Sequence, residues 1–384
     1  MRKQILLSLA LGASLGAFAQ PSVTNAFNAN KEGDFAAAAT YIEQAVQDPK
    51  ASSKEKTWRY RGDIYLNIAT SADLSPKFPN AARTAIDSYK KSIELDKYGD
   101  YANEVRGSMG RLQEILAAQA GEKYGKKDFC GAAQNFAEMA EISGVFKIVD
   151  TLSIFNSAYC NDQCGKNADA IEGYKKCAGY NYNVPEVYRY IADAYLEDGK
   201  KSEALTTLAE GRSKYPGNSD ILRAEVNIYL GDQEYVKAED LLKSLTAKEP
   251  NNEMFWYVLG ITYNKLNKPV EEEEAYKSAL AIKPNYYDAL FNLGAMHFNK
   301  GLAKEEECNA IPPREVAKYN DCSAAAQVFF KKSAEVLENA YNNLPAELKG
   351  TTEERQMISS LKDAYYKAGR EEEYKKMKDL LQSK

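Results

Sequence analysis

The residues of this sequence with chemistry to offer are six cysteines, one histidine and a few acidic runs. Cys308 and Cys322 bracket Pro312-Pro313, which must lie outside any helix. A bridge between them would close a 15-residue loop, worth ~3 kcal/mol in the chain-entropy account. Cys160 and Cys164 lie one helical turn apart, a poor separation for a disulfide. Together with Cys130 they offer three thiolates, one short of a structural zinc site. His297 cannot build a multi-histidine metal site by itself. No second histidine stands by to activate a serine or cysteine nucleophile. The phosphate loop G-x-x-x-x-G-K-[ST] and the elbow G-x-S-x-G do not occur. The runs Glu271–Glu274 and Glu305–Glu307 read as solvated helix faces. No catalytic constellation and no cofactor or metal site emerges, and the expectation is a protein that is not an enzyme.

The 384 residues, 44% hydrophobic and 27% charged, suffice for a packed core and argue against global disorder. Met1-Arg2-Lys3, the apolar stretch Ile5–Phe18 and the cleavage sequence Ala17-Phe18-Ala19 read as a secretory signal peptide over residues 1–19. That apolar stretch is shorter than the roughly 17–25 residues of a spanning helix. The mature chain would start at Gln20 with 48 basic and 55 acidic residues. A net charge of −7 disfavours nucleic acid as the partner. The expected product is exported and soluble, periplasmic or extracellular, with no transmembrane anchor. Such a compartment permits disulfides.

Positioning comes from a repeat. Pro216, Pro250 and Pro284 are 34 residues apart, as are Tyr195, Tyr229, Tyr263 and His297. The segment 253–286 reads Trp256-x2-Leu259-Gly260-x2-Tyr263, then Tyr276, Ala279 and Pro284, with Glu272 where the pattern expects alanine. This resembles the tetratricopeptide repeat (TPR). The resemblance implies an all-α fold, a right-handed α-solenoid of about nine TPR-like helix-turn-helix units over residues 20–384. Units 185–218, 219–252 and 253–286 fit without gaps. Looser units surround Asp34-Phe35, Trp58, Phe129 and Thr151, an eighth begins at Tyr287, and a last pair spans 353–383. Insertions are expected near 68–80 and 302–322, and a hinge at Asn343–Thr352. Small residues at position 8, such as Gly62 and Gly260, would let the two helices of a unit approach closely. His297, at position 11, reads as a packing residue. Cys130 would begin one second helix and Cys160 or Cys164 end the next first helix, so that Cys130 can pair with one of the two. Cys177 reads as a small buried thiol.

The resemblance also implies function, since TPR proteins serve mainly as protein- and peptide-binding scaffolds. Their first helices line a concave groove through positions 2, 5, 9, 12 and 13. Here that selects Arg189, Arg223, Asn227, Tyr257, Ile261, Asn264, Phe291 and Phe298 as partner-binding residues. Arg189 with Asp193, and Arg59 with Asp63, read as ordinary i,i+4 pairs. Arg223 with Asn227 is similar to part of a carboxylate clamp, whose further Asn is Val258 here. The expected function is an exported, non-catalytic scaffold for a protein or peptide within a cell-envelope assembly. The alternative is a structural, self-associating envelope protein.

Overall fold

The computed structural model describes residues 19–383, so the leader through Phe18 lies outside the described residues. Nineteen α-helices and two 3-10 turns account for the ordered secondary structure there, and no strand occurs among the described residues. The chain divides into two compact units, one ending at Thr207 and one starting at Leu208.

In the first unit, α1 (Ala19–Glu32) pairs with α2 (Phe35–Val46), and a single turn, α3 (Pro49–Ser52), leads on. The next pairs are α4 (Glu55–Thr70) with α5 (Ala81–Leu95), α6 (Ala102–Gly125) with α7 (Phe129–Val145), and α8 (Thr151–Gln163) with α9 (Asn167–Gly179). The helix α10 (Glu186–Glu197) precedes α11 (Lys201–Lys214), within which the two units meet in sequence. The second unit continues with α12 (Ser219–Gly231) and α13 (Tyr235–Lys248), then α14 (Glu253–Lys265) and α15 (Pro269–Ile282). The long helices α16 (Tyr287–Asn309) and α17 (Val316–Asn342) follow, and α18 (Thr352–Lys367) and α19 (Glu371–Ser383) close the chain.

Local chemistry explains the boundaries. Asp34, Asp128, Asp150 and Asn218 each accept from a backbone N–H in the first turn of α2, α7, α8 and α12, satisfying groups a helix start leaves unpaired. The turn inside four successive repeats passes through the left-handed region at Gly165, Gly199, Gln233 and Asn267, with φ of 75°, 71°, 60° and 55°. These residues stand 34 apart, so the helix stop belongs to the repeat as much as the helix faces do.

The tight contact within a pair rests on glycine. A Cβ on Gly62 would lie 2.5 Å from the ring of Tyr89, and one on Gly260 would lie 2.5 Å from the ring of Tyr276. Both rings are buried. The same glycine–tyrosine contact thus closes α4 on α5 and α14 on α15.

The insertion near 68–80 is a loop, Ser71–Asn80, with one 3-10 turn at Ser75–Lys77. The inserted segment 302–322 is mostly helical. α16 runs on to Asn309 and α17 begins at Val316, leaving only residues 310–315 outside a helix. The stretch 302–309 holds good helix formers and no glycine or proline, so nothing ends α16 before Pro312-Pro313. The expected hinge, Asn343–Thr352, holds a 3-10 turn at Ala346–Leu348, and the Gly350 N–H donates to Glu354 there.

Candidate functional site

The pair α14–α15 and the helix α16 enclose a cavity of about 380 Å³. Tyr257, Ile261 and Asn264, all at expected groove positions, line it from α14. From α16 come Asn292, Met296 and Asn299, and from α15 come Glu272 and Tyr276. The Tyr257 ring packs 5.1 Å from Tyr286 and 6.1 Å from Tyr276, and Asn292 Nδ2 donates to its hydroxyl at 3.1 Å. Burial raises the Tyr257 pKa above the usual phenol value.

The run Glu271–Glu274 is not a solvated face throughout. Glu272 is only 4% exposed, and one of its oxygens accepts from Asn264 Nδ2 at 3.0 Å. Burial pushes its carboxyl pKa up, against the opposing pull of Asn264 and Lys300. The helix carries this side chain at repeat position 20, which faces inward at the helix contact. The periodicity that makes Ala204 and Ala238 small therefore buries Glu272.

The remaining groove residues stand apart from this cavity. Arg223 and Asn227 are exposed on α12; Arg223 is ion-paired with Asp220. Phe291 and Phe298 are half-buried, not open surface. Phe291 stacks on Tyr287 at 6.1 Å, and Phe298 meets Phe330 edge-on at 5.6 Å. Part of each aromatic surface is thereby spent on contacts within the protein. His297 is 4% exposed with Nδ1 unbonded, and burial lowers its pKa, as a packing role requires.

In the first unit, Arg189 pairs with Asp193 at 2.6 Å and lies 4.4 Å over the Tyr190 ring. Arg59 does not pair with Asp63. Its guanidinium binds Glu55 and Glu104, each at 2.9 Å, and sits 4.1 Å over Tyr101. Asp63 accepts from the Tyr89 hydroxyl at 2.8 Å. Arg59 is therefore a packed cross-link between α4 and α6 rather than a solvated pair.

A second cavity in this unit went unread in the sequence. It measures about 400 Å³ and is lined by Tyr124, Phe136, Phe155, Tyr159, Cys160 and Tyr190. The signal was present: Phe155 precedes Arg189 by 34 residues and Tyr159 precedes Asp193 by 34. The contact of Gly173 with Ala158, 2.7 Å from an added Cβ, sets that register.

The cysteines resolve into Cys308–Cys322, with S–S 2.05 Å, and Cys130–Cys164. Cys160 and Cys177 are free and buried. Burial pushes the Cys177 thiol up to about 11. With Cys130 and Cys164 bonded to each other, Cys160 is left without companion thiolates. No group of three or more His, Cys, Asp or Glu side chains suited to a metal occurs among the described residues. No helix among the described residues is long and apolar enough to cross a membrane.

Residues 223–287 match the family model described as tetratricopeptide repeat. Among curated proteins, the peroxisomal targeting signal receptor of Saccharomyces cerevisiae is 31% identical over 182 residues, covering 36% of this chain and 30% of that protein. The receptor of the same description from Kluyveromyces lactis is 32% identical over 78 residues, 20% of this chain and 14% of that one. The TPR repeat-containing protein YpiA of Bacillus subtilis is 22% identical over 141 residues, 37% of this chain and 33% of its own. The chain thus spans a third or less of the length of these relatives. Among solved structures, a TPR repeats protein from Bacteroides fragilis aligns with TM-score 0.31 and 21% identity, over 65% of this chain and 98% of that one. MamA from Desulfovibrio magneticus aligns with TM-score 0.36 and 19% identity, over 49% of this chain and 96% of that one.

Proposed function

We propose, from the premise that this chain carries tetratricopeptide repeats, that it is an exported, non-catalytic scaffold holding an extended peptide or protein segment within a cell-envelope assembly. The binding strip runs along the first helices of the sixth to eighth pairs, α12, α14 and α16, through Arg223, Asn227, Tyr257, Ile261, Asn264, Phe291 and Phe298. In the first unit, Arg189 on α10 takes the same repeat position as Arg223. The observation that carries the reading is the cavity that Tyr257, Ile261 and Asn264 share. Side chains one and two turns apart on a single helix meet residues of the next first helix there, which is how a repeat array builds a binding surface.

Export is tested by mass spectrometry of protein purified from its native host. A mature N-terminus at Gln20 is expected; an intact Met1 on most molecules overturns it. The groove is tested by a photo-crosslinking residue at position 257, with one at position 277 on α15 as control, in envelope extract. Once a partner is captured, Tyr257→Ala with Phe291→Ala should weaken it at least about tenfold, as aromatic anchors usually do. Lys277→Ala with Glu274→Ala, two exposed positions of α15, should leave it bound. The reverse pattern overturns the groove. Light scattering addresses self-association. On this reading the mature protein should stay monomeric as its concentration rises.

A further inference from the structure

The carboxylate of Glu272 breaks the repeat at a buried position. Other repeats place alanine at this position, as at Ala38, Ala170, Ala204 and Ala238, all wholly buried. Here an acid is buried to the same depth. Its Oε1 accepts from Asn264 at 3.0 Å, and Oε2 is not among the fully buried unpaired atoms, so it remains open to a further donor. It has no ion pair, because the neighbouring cations are committed elsewhere. Lys300 binds Glu273 at 2.8 Å, and Lys268 binds Glu239 at 2.7 Å. Lys265 also lines the cavity but is exposed, where water screens its charge. Glu272 therefore places an acid without an ion pair in the cavity wall, where a cation reaching it from solvent would be favoured.

We propose that the cavity over Glu272 receives a cationic side chain, the ammonium of a lysine or the guanidinium of an arginine, carried by an extended peptide. The proposal rests on the groove reading above. The rings of Tyr257 and Tyr276, 6.1 Å apart, offer faces for a cation and an apolar wall for its stem. The amide side chains of Asn264, Asn292 and Asn299 add acceptors. A space of about 380 Å³ accommodates either head group. An anionic side chain would face Glu272, and an aliphatic one would leave its free oxygen unpaired.

The test uses the mature chain and ligand-detected NMR. The probes are acetyl-Gly-Gly-Lys-Gly-Gly-amide, its arginine and norleucine analogues, and n-butylammonium. The lysine and arginine peptides should bind at least about tenfold more tightly than the norleucine peptide, the factor expected for a hydrogen bond to a charged group. Glu272→Gln should remove that preference. So should Glu272→Ala, which installs the residue found in other repeats and should fold. Equal binding of the norleucine peptide, or an unchanged lysine preference in Glu272→Gln, overturns the proposal. Binding of n-butylammonium as tight as that of the lysine peptide overturns the peptide as its carrier. If no probe binds while Tyr257→Ala with Phe291→Ala still weakens the captured partner, the cation site fails and the scaffold reading stands. If the probes bind and that double variant leaves the partner unaffected, the scaffold reading fails instead.

Discussion

The fourth and seventh repeats hold cavities at equivalent places with opposite chemistry. Phe155, Tyr159 and Tyr190 line the first; Tyr257, Ile261 and Asn292 line the second from the same repeat positions, three repeats on. The volumes are nearly equal, about 400 and 380 Å³. The acid, however, has crossed the helix pair. In the fourth repeat Asp162 on α8 accepts from the Tyr174 hydroxyl at 3.4 Å, opposite Ala170. In the seventh, α14 carries Asn264 and the acid is Glu272 on α15. Repeat geometry sets the size of the hollow; a few side chains decide whether it is an aromatic pocket or a polar one.

The largest expected effect probes the buried tyrosine of the second helix in each of these repeats. Tyr174 is wholly buried, stacks on Tyr190 at 5.3 Å and touches Phe155 at 5.8 Å. Tyr276 is as deeply buried but lies beside a carboxylate and amides. Tyr174→Ala and Tyr276→Ala should each cost ~3–5 kcal/mol in urea unfolding. Tyr174→Ala should cost more, because its void is lined by the rings of Phe155 and Tyr190 rather than by polar side chains. A larger loss at Tyr276 would break the contrast between an apolar and a polar hollow.

The disulfides sharpen it next. Cys130–Cys164 ties α7 to the end of α8 beside the aromatic cavity, and Cys308–Cys322 ties α16 to α17. Their sequence separations are 34 and 14. The chain-entropy account then gives ~4 and ~3 kcal/mol. Cys130→Ser with Cys164→Ser should destabilise the first unit by the larger amount and expose Phe155 and Tyr159 to faster hydrogen exchange nearby. Cys308→Ser with Cys322→Ser should leave exchange in that region unchanged.

Gly260→Leu follows, at ~1–3 kcal/mol from overpacking, since even a Cβ there would press on the Tyr276 ring. The corresponding tight contact in the fourth repeat involves Gly173 and Ala158, without a ring in the way. Gly173→Leu should cost no more than Gly260→Leu, by thermal denaturation.

Periodicity made the helices legible, because a proline every 34 residues and a small residue at position 8 state where helices stop and touch. It made Tyr257, Ile261 and Asn264 legible as neighbours for the same reason. Two features escaped. Phe155 and Tyr159 escaped because the fourth unit is one of the looser ones, although their 34-residue spacing to Arg189 and Asp193 places them at groove positions. Glu272 was hidden by composition: four consecutive acids look solvated, and which of them turns inward depends on the phase of α15. Helix continuation through 302–309 escaped because an insertion names extra length without naming its conformation.

The smallest effect is the most diagnostic of the seventh repeat's hollow. Glu272 has its pKa raised by burial, so the folded protein holds that proton more tightly than the unfolded chain does. Stability then falls as pH climbs from the unfolded carboxylate value through the folded one. Glu272→Ala removes this dependence. At pH 7 the variant should be more stable than the parent by about 1 kcal/mol, as when an unpaired buried charge is replaced by a fitting apolar group. The advantage should shrink as the carboxyl becomes protonated in both states. Its neighbour supplies the control. Ion pairs with Lys277 and Lys300 hold Glu273 down at about 2, against the upward pull of burial. That group stabilises the fold above the unfolded value and loses its contribution as pH falls toward about 2. Urea titrations of Glu272→Ala and Glu273→Ala between pH 3 and 7 should therefore differ from the parent with opposite signs at neutral pH. Two adjacent acids with the same sign would mean that Glu272 is solvated after all, and the polar hollow would lose its defining charge.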